Sequence, residues 1–117
     1  MMHRTLVALV CSMLLTACGT PAPDTEHPAV TIRMTKDAVS PDPVTVKVGE
    51  TVCWVNQDSV NRWPASNLHP THEIYPDFDP MQGVKPGDTW CFAFGRPGIW
   101  KYHDHLLPGI VGTVNAE

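Results

Sequence analysis

Four histidines fall in two closely spaced pairs, and histidine is the commonest metal ligand in proteins. His69 and His72 are separated by two residues, and His103 and His105 by one. Because side chains two positions apart in a β-strand point to the same face, His103 and His105 should present their imidazoles side by side. Imidazole nitrogens suit copper, zinc and nickel. The pairs predict a metal site; the alternative is that these histidines are structural and bond to carbonyl groups of a nearby loop.

The first pair lies in a long segment, residues 58–83, that is polar and rich in proline. A structureless loop of this length in a small domain is usually functional. Its acidic side chains could accept hydrogen bonds from histidine nitrogens and so orient metal ligands. The alternative is that they belong to a solvated loop surface. These acids are Glu73, Asp77 and Asp79.

Short stretches of alternating apolar and polar residues surround this segment and predict strands. Twelve prolines and eight glycines among 117 residues argue against long helices and suit frequent turns. The predicted strands are residues 30–34, 44–48, 51–56, 89–94, 99–103 and 111–115. The side chains expected to fill the core are Ile32, Val44, Val46, Trp54, Trp90, Phe92 and Phe94. The sequence therefore predicts one all-β domain, a sandwich or a barrel.

The first residues predict export and a lipid anchor. A basic start is followed by an apolar run from Thr5 to Leu15, which has the length of a signal-peptide core and is too short to span a membrane. Leu15–Cys18 resembles a bacterial lipobox, which implies removal of residues 1–17 and lipidation of Cys18 in the bacterial cell envelope. The alternative is an ordinary signal peptide with Cys18 incidental. Residues 18–29 are polar and proline-rich and predict a flexible linker to a domain at 30–117.

Two cysteines, Cys53 and Cys91, remain in the predicted domain. Because export implies an oxidising compartment, we expect them to form a disulfide. Each falls on the face of its strand opposite the predicted core, so a cross-strand bond is geometrically reasonable if the two strands are neighbours.

Two stretches resemble the early and late strands of the cupredoxin family. The first ends in V-x-V-x-V-G-E-T-V-x-W-x-N at Val44–Asn56, and the second carries K-P-G-D-x-x-x-F-x-F and P-G-I-W-K-Y within Lys85–Tyr102. Gly112–Val114 resembles the closing strand. The resemblance covers residues 30–117 apart from the long segment. It implies a Greek-key two-sheet β-sandwich with a long loop insertion and a copper site at one end.

The resemblance also places other residues at the four positions of the family's type 1 copper ligands. Arg62 takes the place of the first His, Asp104 that of the Cys, Leu107 that of the second His and Ile110 that of the Met. Without a cysteine in this loop, the Cu–thiolate bond of a blue-copper centre cannot form. A buried ion pair between Arg62 and Asp104 would fill the emptied site.

A second resemblance concerns Tyr102–His105, which is similar to the His-Cys-His segment of multicopper oxidases with Asp in place of Cys. The flanking histidines of that segment bind coppers other than the type 1 ion. This resemblance favours copper as the metal of the histidine cluster.

These features predict an exported copper-binding protein that uses a histidine cluster in envelope copper handling. Expected partners are a copper ion, a membrane through the lipid anchor, and a redox or copper-transfer protein. The alternatives are an electron-transfer protein with an atypical copper centre and a metal-free structural or interaction module. Neither a Ser–His–acid arrangement nor a Cys nucleophile indicates an enzyme. The lack of any Lys/Arg cluster argues against nucleic acid as a partner.

Overall fold

A computed structural model describes residues 20–117, so the expected signal peptide and Cys18 lie outside the described residues. The described chain forms eight β-strands and no helix. The strands are β1 (Val30–Met34), β2 (Val39–Ser40), β3 (Val44–Val46), β4 (Thr51–Asn56), β5 (Pro64–Ser66), β6 (Thr89–Ala93), β7 (Gly98–Asp104) and β8 (Val111–Ala116). Across residues 20–117, no helix is long and apolar enough to pass through a membrane.

The strands form two four-stranded sheets, in the orders β2-β1-β4-β6 and β3-β8-β7-β5. Each sheet contains one parallel pair, β1 with β4 and β3 with β8, and its remaining pairs are antiparallel. The predicted all-β, two-sheet sandwich is therefore confirmed. Six of the eight strands fall where alternation predicted them, and β2 and β5 were not predicted.

The core lies between the sheets and is centred on Trp54, whose side chain is fully buried. Its ring centroid is 5.5 Å from those of Trp90 and Tyr102 and 5.2 Å from that of Phe78. Tilted and edge-on contacts of this kind add to the free energy of area burial. Each predicted core residue belongs to this cluster, with Trp90 packing on its border: Ile32, Val44, Val46, Trp54, Trp90, Phe92 and Phe94.

The long segment 58–83 is more ordered than its composition predicts. The interpretation of it as a loop without regular structure is wrong for β5, which pairs with the end of β7. Two further side chains of the segment, Tyr75 and Phe78, are buried in the core. Phe78 stacks on Trp90 and Phe92 at 5.9 and 5.4 Å between ring centroids. A three-residue strand that begins with a proline carries too little periodicity to be recognised in the sequence.

The residues before β1 also contact the sandwich. The amide N–H groups of Asp24 and Ala29 donate to the hydroxyl and carbonyl oxygens of Thr51, each at 2.8 Å. The hydroxyl of Thr20 donates to Asp77 Oδ2 at 3.1 Å. Residues 20–29, part of the predicted linker, therefore run along the domain surface in an irregular conformation.

Cys53 and Cys91 lie directly opposite each other on the antiparallel strands β4 and β6, and their sulfur atoms are bonded. The bond joins two strands of the same sheet and closes a loop with a sequence separation of 38 residues. This loop contains the whole segment 58–83.

Removal of this disulfide should destabilise the domain by about 3–4 kcal/mol. The reason is that the unfolded chain regains the conformational entropy that the cross-link removes from a loop of this length. The Cys53→Ala, Cys91→Ala double variant should show this loss in urea unfolding relative to the oxidised protein. Chemical reduction of the unchanged protein is the matched control and should give a similar value. Equal unfolding midpoints for the oxidised and reduced proteins would contradict the prediction.

Candidate metal centre

The four predicted histidines come from two parts of the chain that β-sheet pairing brings together. β5 pairs with β7 so that Ala65 lies opposite His103, near the end of β7. The chain leaving β5 carries His69 and His72 back over this strand end, and His105 follows it directly. One ligand nitrogen from each of the four rings lies within 4.8 Å of the others.

The ring nitrogens are spaced like ligands around one metal ion. His69 Nδ1 is 3.2 Å from His103 Nε2, and His72 Nε2 is 3.1 Å from His105 Nδ1. Nitrogens bound to one ion at about 2.0–2.1 Å are about 3.3–3.4 Å apart in a tetrahedral site and about 2.8–3.0 Å apart as neighbours in a square-planar one, and both measured distances fall between these values. The ring centroids of His103 and His105 are 6.5 Å apart, and the rings of His69 and His72 each lie 4.8–5.1 Å from both of them. The arrangement can provide four nitrogen donors to a single ion.

Two of the rings are oriented by hydrogen-bond acceptors on their outer nitrogens. His72 Nδ1 is 2.6 Å from Asp79 Oδ2, and His103 Nδ1 is 2.9 Å from Asn67 Oδ1. A donor proton on each Nδ1 leaves the lone pair on Nε2, which points into the cluster. This is the arrangement by which outer acceptors fix the tautomer and direction of metal-binding histidines.

The backbone at His72 is also held in an uncommon conformation. Its φ is +55°, in the left-handed region that side chains other than glycine rarely adopt. Such a residue costs on the order of 1–3 kcal/mol and persists only where its surroundings impose it. Here the His72 amide donates to the Leu68 carbonyl at 2.6 Å, and the ring is buried against Asp79. In this backbone conformation the His72 ring lies between Asp79 and His105.

The protonation states favour metal binding near neutral pH. Burial, the largest cause, and the neighbouring imidazoles of His72, His69 and His105 together lower the pKa of His103 to about 4, against an opposing effect of Asp104. His103 is therefore neutral at pH 7, with a lone pair available. Burial alone would raise the pKa of Asp79, but hydrogen bonds from His72, Met81 and Trp63 outweigh it and lower the pKa. Asp79 is therefore an ionised acceptor.

Trp63 supports the cluster from a second side. Its indole N–H donates to Asp79 Oδ1 at 2.8 Å, and its carbonyl oxygen accepts the amide N–H of His105 at 2.7 Å. The indole ring also packs against the His105 ring at 4.7 Å between centroids. Trp63 thus positions His105 directly and His72 through Asp79.

Only part of this support was visible in the sequence. Of the three acids considered as orienting groups, Asp79 contacts a histidine, whereas Glu73 and Asp77 are exposed and Asp77 pairs with Thr20. Asn67 was not predicted at all. Its amide could have drawn attention only as a polar residue beside His69, which is a weak signal.

The predicted Arg62–Asp104 pair lies beside the cluster and is buried. Arg62 Nε donates to Asp104 Oδ2 at 2.6 Å, and the two side chains are 0% and 3% exposed. Arg62 Nη1 also donates to the carbonyl of Thr35 and lies 3.5 Å from Asp58 Oδ2. The carboxylate of Asp104 also accepts hydrogen bonds from three backbone amides, those of Trp63, Leu106 and Leu107.

This pair does not fit a blue-copper centre. The arginine is a cation without a lone pair to offer, and both oxygens of Asp104 are already occupied by N–H donors. Leu107 and Ile110, at the two remaining ligand positions, have no donor atom. The only cysteines of residues 20–117, Cys53 and Cys91, are joined in the disulfide between β4 and β6 and offer no thiolate.

Solved structures resemble this sandwich over most of its length. A purple cupredoxin from Nitrosopumilus maritimus has 26% sequence identity and a TM-score of 0.66, over 75% of this chain and 99% of its own. A reduced amicyanin variant has 21% identity and a TM-score of 0.66, over 84% of this chain and 92% of its own. The Cu-containing nitrite reductase of Thermus scotoductus SA-01 has 21% identity and a TM-score of 0.62, over 78% of this chain and 22% of its own.

No protein-family model and no curated protein matches the sequence. The structural similarities define the class of protein: the chain has the cupredoxin fold. It is a cupredoxin-like protein in which a buried ion pair stands at the positions expected for the type 1 ligands, and four histidines converge beside it.

Replacing Asp104 by alanine should destabilise the protein by about 3–5 kcal/mol, because the buried Arg62 guanidinium would lose the carboxylate to which its Nε donates and keep only the longer carboxylate contact, with Asp58. Chemical unfolding followed by tryptophan fluorescence measures the loss. The double variant Arg62→Met, Asp104→Leu is the control, since removing both charges should cost less than removing one. If Asp104→Ala unfolds at the same denaturant concentration as the unchanged protein, the pair does not stabilise the fold.

Proposed function

We propose that this protein binds one copper ion through His69, His72, His103 and His105. The observation that carries the proposal is the convergence of one nitrogen from each ring within 4.8 Å, on a rigid β-sandwich frame. Two of the rings are already turned inward by Asp79 and Asn67. Pre-orientation of this kind lowers the entropic cost of assembling a metal site.

Copper is favoured over zinc and nickel by the fold that carries the site. Imidazole suits all three metals. Among the similar structures, the nitrite reductase is described as Cu-containing and one amicyanin structure as a Cu(I) form. An all-imidazole donor set without a thiolate suits a tetragonal Cu(II) centre, which lacks the intense blue colour of a Cu–thiolate bond.

The proposed role is copper handling in the bacterial cell envelope, by binding rather than catalysis. The support is the sequence of the first 18 residues, which resembles a lipoprotein signal with Cys18 as the lipid-bearing residue. The membrane would then be a partner through the lipid, and a copper-transfer or redox protein would exchange metal or electrons with the site.

A metal-free interaction module is the second candidate, and one observation favours it. The contacts of 3.1 and 3.2 Å between ring nitrogens are also hydrogen-bond distances. Neutral imidazoles could form one hydrogen bond within each of the two ring pairs, while Asp79 and Asn67 accept the Nδ1 protons of His72 and His103. Metal binding and this alternative give opposite results in a copper titration.

Titration of the purified protein with Cu(II), followed by optical and EPR spectroscopy, should show one ion per chain in a nitrogen-rich, non-blue centre. His103→Ala and His105→Ala should each lose this signal, because only three nitrogens then remain and one of them belongs to His69, whose one ring hydrogen bond lies inside the cluster. His27→Ala is the matched control, since His27 is exposed in the segment before β1 and pairs only with Asp24. A folded protein that binds no copper would overturn the proposal and support the metal-free module.

Asp79→Asn should weaken copper binding by about 10–100-fold, the usual cost of removing a group that orients a metal-binding histidine. The reason is that the amide no longer offers the charged acceptor that fixes the His72 ring. Asp77→Asn is the control, because Asp77 lies in the same segment and contacts Thr20 rather than a histidine. Competition with a chelator of known affinity measures both variants; equal affinities would show that Asp79 does not orient His72.

A further inference from the structure

The four histidines of the cluster are not held equally. His72 and His103 are 4% and 3% exposed. The Nδ1 of His72 is hydrogen-bonded to Asp79, and that of His103 to Asn67. His105 is half-buried, and its main chain and ring are both fixed on Trp63. Three of the four rings therefore have a defined support besides the cluster itself.

His69 has no such support within residues 20–117. Its ring makes one hydrogen bond there, from Nδ1 to His103 Nε2 at 3.2 Å, and that contact lies inside the cluster. The residue is exposed in a turn, and Leu68, Pro70 and Thr71 beside it are exposed as well. Rotation of the His69 side chain away from the cluster thus breaks one hydrogen bond and the ring contacts with His103 and His105, and no contact outside the cluster.

We propose that His69 is the exchangeable ligand of the site. This inference rests on the copper binding proposed above. His72, His103 and His105 form a fixed three-nitrogen platform, and an imidazole donor from outside takes the fourth position when His69 leaves. The incoming donor is a neutral imidazole, either free in solution or on the side chain of an acceptor protein. Copper enters and leaves the protein across this position.

The exchange is a ligand substitution without electron transfer. The bond from copper to His69 nitrogen breaks, and a bond from copper to the incoming imidazole nitrogen forms. Both ligands are neutral, so the charge and oxidation state of copper are unchanged. Because the other three nitrogens stay bound, the ion need not pass through a fully hydrated state. Catalytic zinc sites likewise keep a fourth, exchangeable position beside three protein ligands, whereas structural zinc sites are closed.

Imidazole rescue of single alanine variants tests this assignment. His69→Ala should keep copper with an affinity about tenfold lower, and free imidazole should restore the four-nitrogen EPR spectrum of the unchanged protein. The loss should appear mainly as an increase of about tenfold in the rate of copper release to a chelator. His72→Ala is the matched variant from the same segment, and imidazole should not restore its spectrum, because that position is buried and closed by Asp79.

A second arm replaces free imidazole by a short peptide with one central histidine. Restoration by both ligands supports the exchange and shows that a partner's side chain can reach the position. Restoration by free imidazole alone also supports the exchange and limits it to small molecules. Thermal unfolding of each variant shows that it is folded.

Two results would overturn the inference, and they are distinguishable. If the unchanged protein binds copper but His69→Ala loses binding as fully as His72→Ala and neither ligand restores it, His69 is a fixed ligand and the proposed function stands. If the unchanged protein binds no copper, the proposed function fails and the exchange fails with it.

Discussion

The carboxylate of Asp104 is the group on which the geometry of this end of the sandwich depends. It accepts N–H donors from Arg62, Trp63, Leu106 and Leu107, and it is buried with its arginine. A buried carboxylate is tolerable only when its acceptor oxygens are hydrogen-bonded. That requirement fixes the end of β7, the turn after it and the start of β5 relative to one another.

The histidine cluster is built outward from this fixed point. His103 and His105 flank Asp104 in the chain, and Trp63 follows Arg62. From Trp63 the support continues through Asp79 to His72. The segment that carries the first histidine pair is also anchored in the core by Tyr75 and Phe78 and enclosed by the Cys53–Cys91 disulfide. A loop secured at both ends and along its length can present ligands with the precision that a metal site requires.

The cupredoxin fold and the proposed metal chemistry are thus separable in this chain. The sandwich agrees in overall fold with solved cupredoxins, whereas the positions expected for the type 1 ligands hold charged and apolar side chains. The nitrogen donors lie next to these positions, at the end of β7 and over β5. This illustrates why function has to be argued from the site rather than from the fold.

Local patterns in the sequence were sufficient for six of the eight strands, because alternation such as that within Val44–Val46 records burial on one face of a sheet. The histidine spacings were visible in the residue types, and the ion pair between Arg62 and Asp104 was expected from the family resemblance. The tertiary structure alone decided the course of segment 58–83, the strand β5 and the roles of Asn67 and Trp63. Those features depend on contacts between residues 36 or 41 positions apart, such as Asn67 with His103 and Trp63 with Asp104, which leave no periodic trace along the chain.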